Sequence, residues 1–102
     1  KNYPDDVVKA FVRSSAENGM NIFRIFDGLN DTRNLATAIN EVKSCQIEGM
    51  NVVAQGTICY TTGPELDNAA EDTPPLDKQK IFNLENYLGK ARELDDMGCD
   101  NI

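Results

Sequence analysis

Ala16-Glu17-Asn18-Gly19-Met20-Asn21-Ile22-Phe23-Arg24-Ile25-Phe26-Asp27 carries a helix end, a turn and a short strand in one continuous stretch. A glycine after the last helical residue closes the helix in a left-handed turn. Met20 then docks under the helix, and Asn21 leads into an apolar run broken only by Arg24. Such runs are typical of parallel strands covered on both faces. The same junction recurs as Glu48-Gly49-Met50-Asn51-Val52 and as Met97-Gly98-Cys99-Asp100-Asn101-Ile102. Gly19 and Gly49 are 30 residues apart, and Gly49 and Gly98 are 49 apart. The second interval is therefore one helix–strand unit plus an insertion of about 19 residues. A repeat of this length reads as consecutive units of a parallel α/β sheet, either doubly wound or a (βα)8 barrel.

Working outward from these junctions, a first helix is expected from about Pro4, with Asp5 and Asp6 complementing its N-terminal dipole. Val7, Val8, Phe11, Val12 and Ser15 or Ala16 form its apolar stripe. Asn30-Asp31-Thr32 offers an N-cap to a second helix, whose stripe is Leu35, Ala38, Ile39, Val42 and Cys45 or Gln46. A second strand is expected over Asn51–Tyr60. Gly56 in its middle would weaken pairing, which points to a close approach by a neighbouring backbone or a ligand. Asn83 caps a third helix with Leu84, Tyr87, Leu88, Ala91, Leu94 and Met97 on one stripe, and Cys99–Ile102 reads as the approach to another strand. The proline-bearing segment from about Thr61 to Lys80 is a long loop, of a length usually functional or disordered.

Composition excludes several classes. The chain has 102 residues, 40% of them apolar, with 10 Lys and Arg against 17 Asp and Glu and a formal net charge of −7. One globular unit is the natural size. The acidic balance and scattered cations argue against a nucleic-acid partner. No apolar run approaches the roughly 18–20 residues of a membrane span, and no signal-peptide pattern opens the chain. Histidine is absent, so a Ser/His/Asp or Cys/His triad, a His-ligated zinc and an imidazole base are excluded within these residues. Cys45, Cys59 and Cys99 are widely spaced and form no C-x-x-C pair. They read as packed thiols in a reducing compartment, the cytoplasm.

From Tyr3 onward the pattern is more specific. Tyr3-Pro4-Asp5-Asp6-Val7-Val8, then Asn18-Gly19-Met20-Asn21-Ile22-Phe23-Arg24-Ile25-Phe26-Asp27, then Leu29-Asn30-Asp31 and Arg33-Asn34-Leu35 form one series. Ala54-Gln55-Gly56-Thr57-Ile58-Cys59-Tyr60-Thr61-Thr62 follows, and then the helix Asn83–Gly98. This series resembles the carboxyltransferase domain of biotin-dependent enzymes: pyruvate carboxylase, the oxaloacetate decarboxylase alpha subunit and the transcarboxylase 5S subunit. The segment Gly63–Ile81 departs from the short decarboxylase-type loop and is closer in length to that of pyruvate carboxylases, so the branch stays open.

The resemblance implies a partial (βα)8 TIM barrel. Residues 1–102 would form a single fragment near the fourth and fifth strands, about two parallel strands with three flanking helices. It implies biotin and a divalent metal as cofactors of the parent. The substrates are an α-keto acid and a biotinylated carrier domain, the keto acid being pyruvate on one side and oxaloacetate on the other. The family's metal ligands are an aspartate, a carboxylated lysine and two histidines on other strands. None falls in this chain, so the fragment alone is expected to bind neither cofactor and to be inactive.

Barrel ligands sit at the C-terminal ends of strands. That places Asp27 and Tyr60 as the substrate-binding candidates. Asp27 can hydrogen-bond a substrate group, orient a metal-bound water or hold an Arg; as a structural residue it caps its turn or pairs with an Arg. Tyr60 can stack on a flat ligand such as the biotin ureido ring, and reads equally as a core aromatic with its hydroxyl at the surface. Arg24 is expected to be buried as a strut to an adjacent strand. Glu71-Asp72 and Asp95-Asp96 read as solvated charge. The competing readings are a stand-alone α/β interaction or regulatory module without activity and a related metal-dependent, aldolase-like barrel. With open strand edges, the isolated chain is expected to self-associate or be unstable.

Overall fold

The computed structural model describes residues 2–61 and 82–102. Within them the order is α1 (Asp5–Glu17), β1 (Ile22–Ile25), a 3-10 turn (Thr32–Asn34), α2 (Ala36–Ile47), β2 (Val53–Gly56) and α3 (Leu84–Asp96). The expected loop over about 61–80, with the Glu71-Asp72 pair, lies outside the described residues apart from Thr61.

The two strands pair in parallel, with Ile22 opposite Val53 and Ile25 opposite Gly56. A third strand begins where the repeat placed it: Gln55 and Asn101 form a parallel bridge. The three helix-to-strand junctions share one geometry. Gly19, Gly49 and Gly98 have φ of 98°, 92° and 87°, the left-handed conformation that a Cβ disfavours. The polar residue that follows has a definite task in two of them. Asn21 Nδ2 donates to the Asn51 carbonyl at 2.9 Å. Asp100 accepts from Lys43 Nζ, Gln46 Nε2 and the Ala54 amide at 2.6–2.8 Å, tying α2, β2 and the incoming strand to one carboxylate. These contacts hold Asp100 below the usual carboxylate range, the Lys43 hydrogen bond foremost.

Packing separates the two faces of the sheet. Phe23 and Ala54 point to the helices and join Val12, Val42, Cys45 and Val52 in one core cluster. Leu35, Ile39 and Leu94 form a second, joined by Ile25, Ile58, Met97 and Cys99. The opposite face is open among the described residues: Ile22 is 60% exposed and Phe26 63%. Among the described residues β1 is covered on one face, the side on which α1 and α2 lie, while its composition suits cover on both. Arg24 lies on the open face and is exposed, contrary to the expected burial. It does strut to the neighbouring strand, donating through Nε to Gln55 Oε1 at 2.9 Å.

Three local expectations shift. Pro4 is the residue before α1 and not inside it, with ψ of 161°. Asp31 caps the 3-10 turn by accepting from the Arg33 amide, and α2 starts only at Ala36. Among the described residues the β1–β2 pairing ends with the Thr57 amide donating to the Ile25 carbonyl at 3.0 Å, short of Tyr60. Gly56 is a site of close approach, as its place in the strand suggests, but the neighbours are side chains: an added Cβ would lie 2.9 Å from Cys99 Sγ and 3.1 Å from Leu94 Cδ1.

An ion-pair cluster that the residue pattern did not reveal binds α1 to α2. Arg13 donates through Nε to Glu41 at 2.9 Å and through Nη1 to Glu48 at 2.6 Å. Glu41 is buried, so this guanidinium compensates a charge that would otherwise be costly to desolvate. The hydrogen bonds raise the Arg13 pKa, the bond to Glu48 most, and lower that of Glu48.

The exposed apolar side chains make one expectation concrete. Phe11, Met20, Ile22 and Phe26 are exposed and line one open groove among the described residues. The 102-residue chain on its own is therefore expected to sediment as oligomers at micromolar concentration, because contiguous apolar patches of this kind drive association. A sharp monomer peak with cooperative melting would contradict it.

Candidate functional site

At the C-terminal ends of β1 and β2 the chain encloses an open cleft of about 880 Å³. The turn after β1 forms one wall, from Asp27 to Asn34; Phe82, Asn86, Tyr87, Lys90 and Glu93 of α3 and the residues before it form the other. Thr32 Oγ1 donates to Glu93 Oε2 at 2.7 Å, which joins the two walls, and Lys90 Nζ donates to the same oxygen at 3.1 Å within the second.

Asp27 organises the first wall. Its Oδ2 accepts from the Leu29 and Asp31 amides, each at 3.0 Å, and its Oδ1 accepts from Asn34 Nδ2 at 3.2 Å. Three donors to one carboxylate favour its charged form, and the pKa is lowered, with the Asp31 amide the largest cause. These bonds are the turn cap that was one of the two structural alternatives. They leave one acceptor position on Oδ1 for any further donor, since a carboxylate offers about four. Asp31 is itself held down to about 2, chiefly by its hydrogen bonds with Arg33.

Tyr60 is 70% exposed in this chain. Its ring leans on Tyr87, with centroids 5.7 Å apart and planes at 34°. Tyr60 is not among the residues lining the cleft; Tyr87, against which it packs, is. Asp27 and Tyr60 are thus at the same end of the sheet without sharing a contact.

Two polar residues of this region make bonds that the chain pattern does not foretell. Asn30 has φ of 55° and bonds Cys59 twice: Nδ2 donates to its carbonyl at 2.8 Å and Oδ1 accepts from its amide at 2.7 Å. Tyr87 treats Thr61 in the same way, its hydroxyl donating to the carbonyl at 2.8 Å and accepting from the amide at 3.1 Å. The signal available was slight: Asn30 lies in a turn that favours left-handed residues, and Tyr87 sits on an otherwise ordinary apolar stripe.

Of the cysteines, Cys45 is buried and Cys59 and Cys99 partly so; all three are free thiols. Burial pushes the thiols of Cys45 and Cys99 up, which disfavours the thiolate. Among the described residues no group of three or more His, Cys, Asp or Glu side chains converges to hold a metal ion. No helix among them is long and apolar enough to cross a membrane.

No family model matches the chain. Individual proteins do. It is 40% identical over 102 residues to a pyruvate carboxylase subunit of Methanocaldococcus jannaschii, covering 14% of that protein. It is 42% identical over 102 residues to the methylmalonyl-CoA carboxyltransferase 5S subunit of Propionibacterium freudenreichii subsp. shermanii, covering 16% of it. Among solved structures, the carboxyl transferase domain of Rhizobium etli pyruvate carboxylase with pyruvate superimposes on 96% of the chain and 14% of its own, with TM-score 0.70 and 34% identity. The same domain with pyruvate and biocytin also gives 0.70. The chain spans about 14% of the length of these pyruvate carboxylase relatives. The two parallel strands and three helices therefore match part of a carboxyltransferase TIM barrel, and the chain belongs to the carboxyltransferase domain of pyruvate carboxylase and transcarboxylase 5S-like enzymes.

Proposed function

We propose that the polypeptide carrying this segment moves a carboxyl group between carboxybiotin and pyruvate or oxaloacetate, and that residues 1–102 are one stretch of its barrel. In the carboxylating direction the N–CO₂ bond of carboxybiotin breaks, a C–C bond forms at the methyl carbon of pyruvate, and the proton leaving that carbon returns to the biotin nitrogen. The observation that supports this reading is the match along the whole chain to proteins named for such carboxylations, together with a cleft at the strand ends where barrel enzymes bind ligands.

The contribution of this segment is wall and rim. Asp27 shapes the turn that forms one wall and keeps one acceptor position for a donor on the substrate side. Tyr60 offers an exposed ring at the border of the cleft. Biotin and a divalent metal belong to the parent, the metal on strands outside this segment, and the segment alone is inactive.

The first measurement is the mass of the natural polypeptide together with its turnover. A full-length polypeptide several-fold larger than this chain, which decarboxylates oxaloacetate only when biotin is available to it, attached to its carrier or added as biocytin, is the expected result. A natural product of 102 residues, or a larger one without biotin-dependent turnover, would overturn the reading in favour of an inactive α/β interaction module. Within an active polypeptide, Asp27→Asn is expected to lower turnover, and unchanged turnover would remove Asp27 from the site.

A further inference from the structure

β1, β2 and the start of the third strand each place a polar residue in one row. Arg24 stands opposite Gln55, and Gln55 opposite Asn101. Residues opposite one another in a ladder point to the same side of the sheet, and their chain neighbours point to the other. Phe23 and Ala54, the residues just before Arg24 and Gln55, pack among the helices. The row Arg24, Gln55 and Asn101 therefore lies on the face away from the helices. In a (βα)8 barrel the helices ring the outside, so the face away from them lines the interior. Arg24 is exposed in this chain and enclosed in the barrel to which the chain belongs.

Enclosure sets a requirement that this segment does not meet by itself. A guanidinium has five N–H donors. Arg24 Nε donates to Gln55 Oε1 at 2.9 Å, and Nη1 and Nη2 meet no acceptor among the described residues. Gln55 is neutral, and the other described side chains lining the two hollows beside Arg24, Ile22, Phe26 and Thr57 among them, are uncharged too. Backbone carbonyls of a closed barrel bond along the sheet, so an inward cation has to be met by side chains. An enclosed guanidinium without a counter-charge is strongly unfavourable. We propose that Arg24 is one half of an ion pair inside the barrel, and that the other half is an Asp or Glu side chain pointing inward from a barrel strand outside residues 1–102. A carboxylate fits the planar fork, which presents two parallel N–H donors to it. The carboxylate of a bound keto acid offers the same chemistry from a second source. It fits less well, because barrel ligands bind beyond the strand ends and Phe26, on the same face, is nearer that end than Arg24. The inference rests on the barrel fold and not on the carboxyl-transfer reading.

The test uses the full-length polypeptide, native and with Arg24→Met or Arg24→Lys, in thermal unfolding without substrate at pH 5 and pH 8. Arg24→Met keeps the apolar stem, removes the cation and strands the carboxylate. A carboxylate stranded in the interior has its pKa raised, so the folded variant holds its proton where the unfolded chain has lost it. Its stability then falls as pH rises, and comparison with the native protein at each pH cancels the other titrations. The melting midpoint of Arg24→Met is expected to lie about 5 °C or more below native at pH 8, and the gap to shrink to about half or less at pH 5. Arg24→Lys keeps the charge, so its gap is expected to be smaller at pH 8 and not to shrink toward pH 5.

A gap for Arg24→Met that is the same at both pH values would mark lost packing of the stem alone and overturn the pair. A native midpoint in Arg24→Met overturns it as well, and a raised KM for oxaloacetate beside that midpoint identifies the keto acid as the source of the carboxylate. Where Arg24→Met does not fold, the structure of the native full-length polypeptide decides. An Asp or Glu oxygen from another strand within about 4 Å of Nη1 or Nη2 is the expected finding. Nη groups bonded only to water or to neutral side chains would overturn the inference.

Discussion

Ile39→Ala is expected to destabilise the fold by about 2–5 kcal/mol, the cost of an emptied aliphatic site in a well-packed core. Ile39 has no exposed surface and packs with Leu35 and Leu94, both almost fully buried. This cluster is the place where successive units meet. Leu35 and Ile39 come from the start of α2, Leu94 from α3, Ile25 from β1 and Cys99 from the lead into the third strand. Neighbours held by several elements cannot collapse readily into the vacated space, which favours the upper half of the range. Denaturant unfolding of the natural polypeptide, followed through the transition that reports this unit, measures it. Val7→Ala on the exposed side of α1 serves as the control, expected within about 0.5 kcal/mol of native. A loss at Ile39 no larger than that of the control would show that the cluster does not hold the units together.

Gly56→Val is the second substitution with a large expected cost, and its cause is opposite. The backbone of Gly56 is not in the left-handed region, so the restriction is one of space. An alanine Cβ would already stand 2.9 Å from Cys99 Sγ and 3.1–3.2 Å from the two terminal carbons of Leu94. The thiol can rotate away at some cost. The Leu94 carbons cannot, because Leu94 is itself fully buried and Gly56 is tied through its amide to the Asn101 carbonyl at 2.9 Å. Overpacking of this kind costs about 1–3 kcal/mol for a small side chain and more for a branched one. Gly56→Ala should therefore fall in that range and Gly56→Val beyond it. Cys99→Ala should return part of the loss in the Gly56→Ala background, since the two positions compete for one volume. A Gly56→Ala protein as stable as the native one would show that the contact is not tight.

The agreement between the chain pattern and the structure is closest where a feature depends on neighbouring residues only. The three glycines at 19, 49 and 98 take the left-handed conformation expected of them, and the stripe Leu35, Ile39, Val42 and Cys45 is the buried face of α2. The junction repeat even placed the start of the third strand, seen as the Gln55–Asn101 bridge. The family could be read from the same residues, because FRIFD and AQGTICYT each span a strand and its exit, the parts of a barrel under the heaviest packing and functional demand.

Beyond those local features the residues alone were silent. The apolar composition of β1 implied cover on both faces, yet among the described residues Ile22 and Phe26 stand open while only Phe23 is buried. A strand's composition reports the environment it is suited to, and not which neighbours are present. Arg13 gave no sign that it would hold the buried Glu41, nor Asn30 that it would bond Cys59, nor Tyr87 that it would bond Thr61. Each of these pairs is separated by 26 to 29 residues. By itself, then, the sequence determined the helices, their glycine stops, the parallel repeat and the family, because torsional preference and hydrophobic period act within one or two turns of chain. Only the tertiary structure decided which face of the sheet is covered, which charge is buried and how Tyr60 is held, because a hydrogen bond between distant residues exists only once packing has brought their elements within about 3 Å of each other.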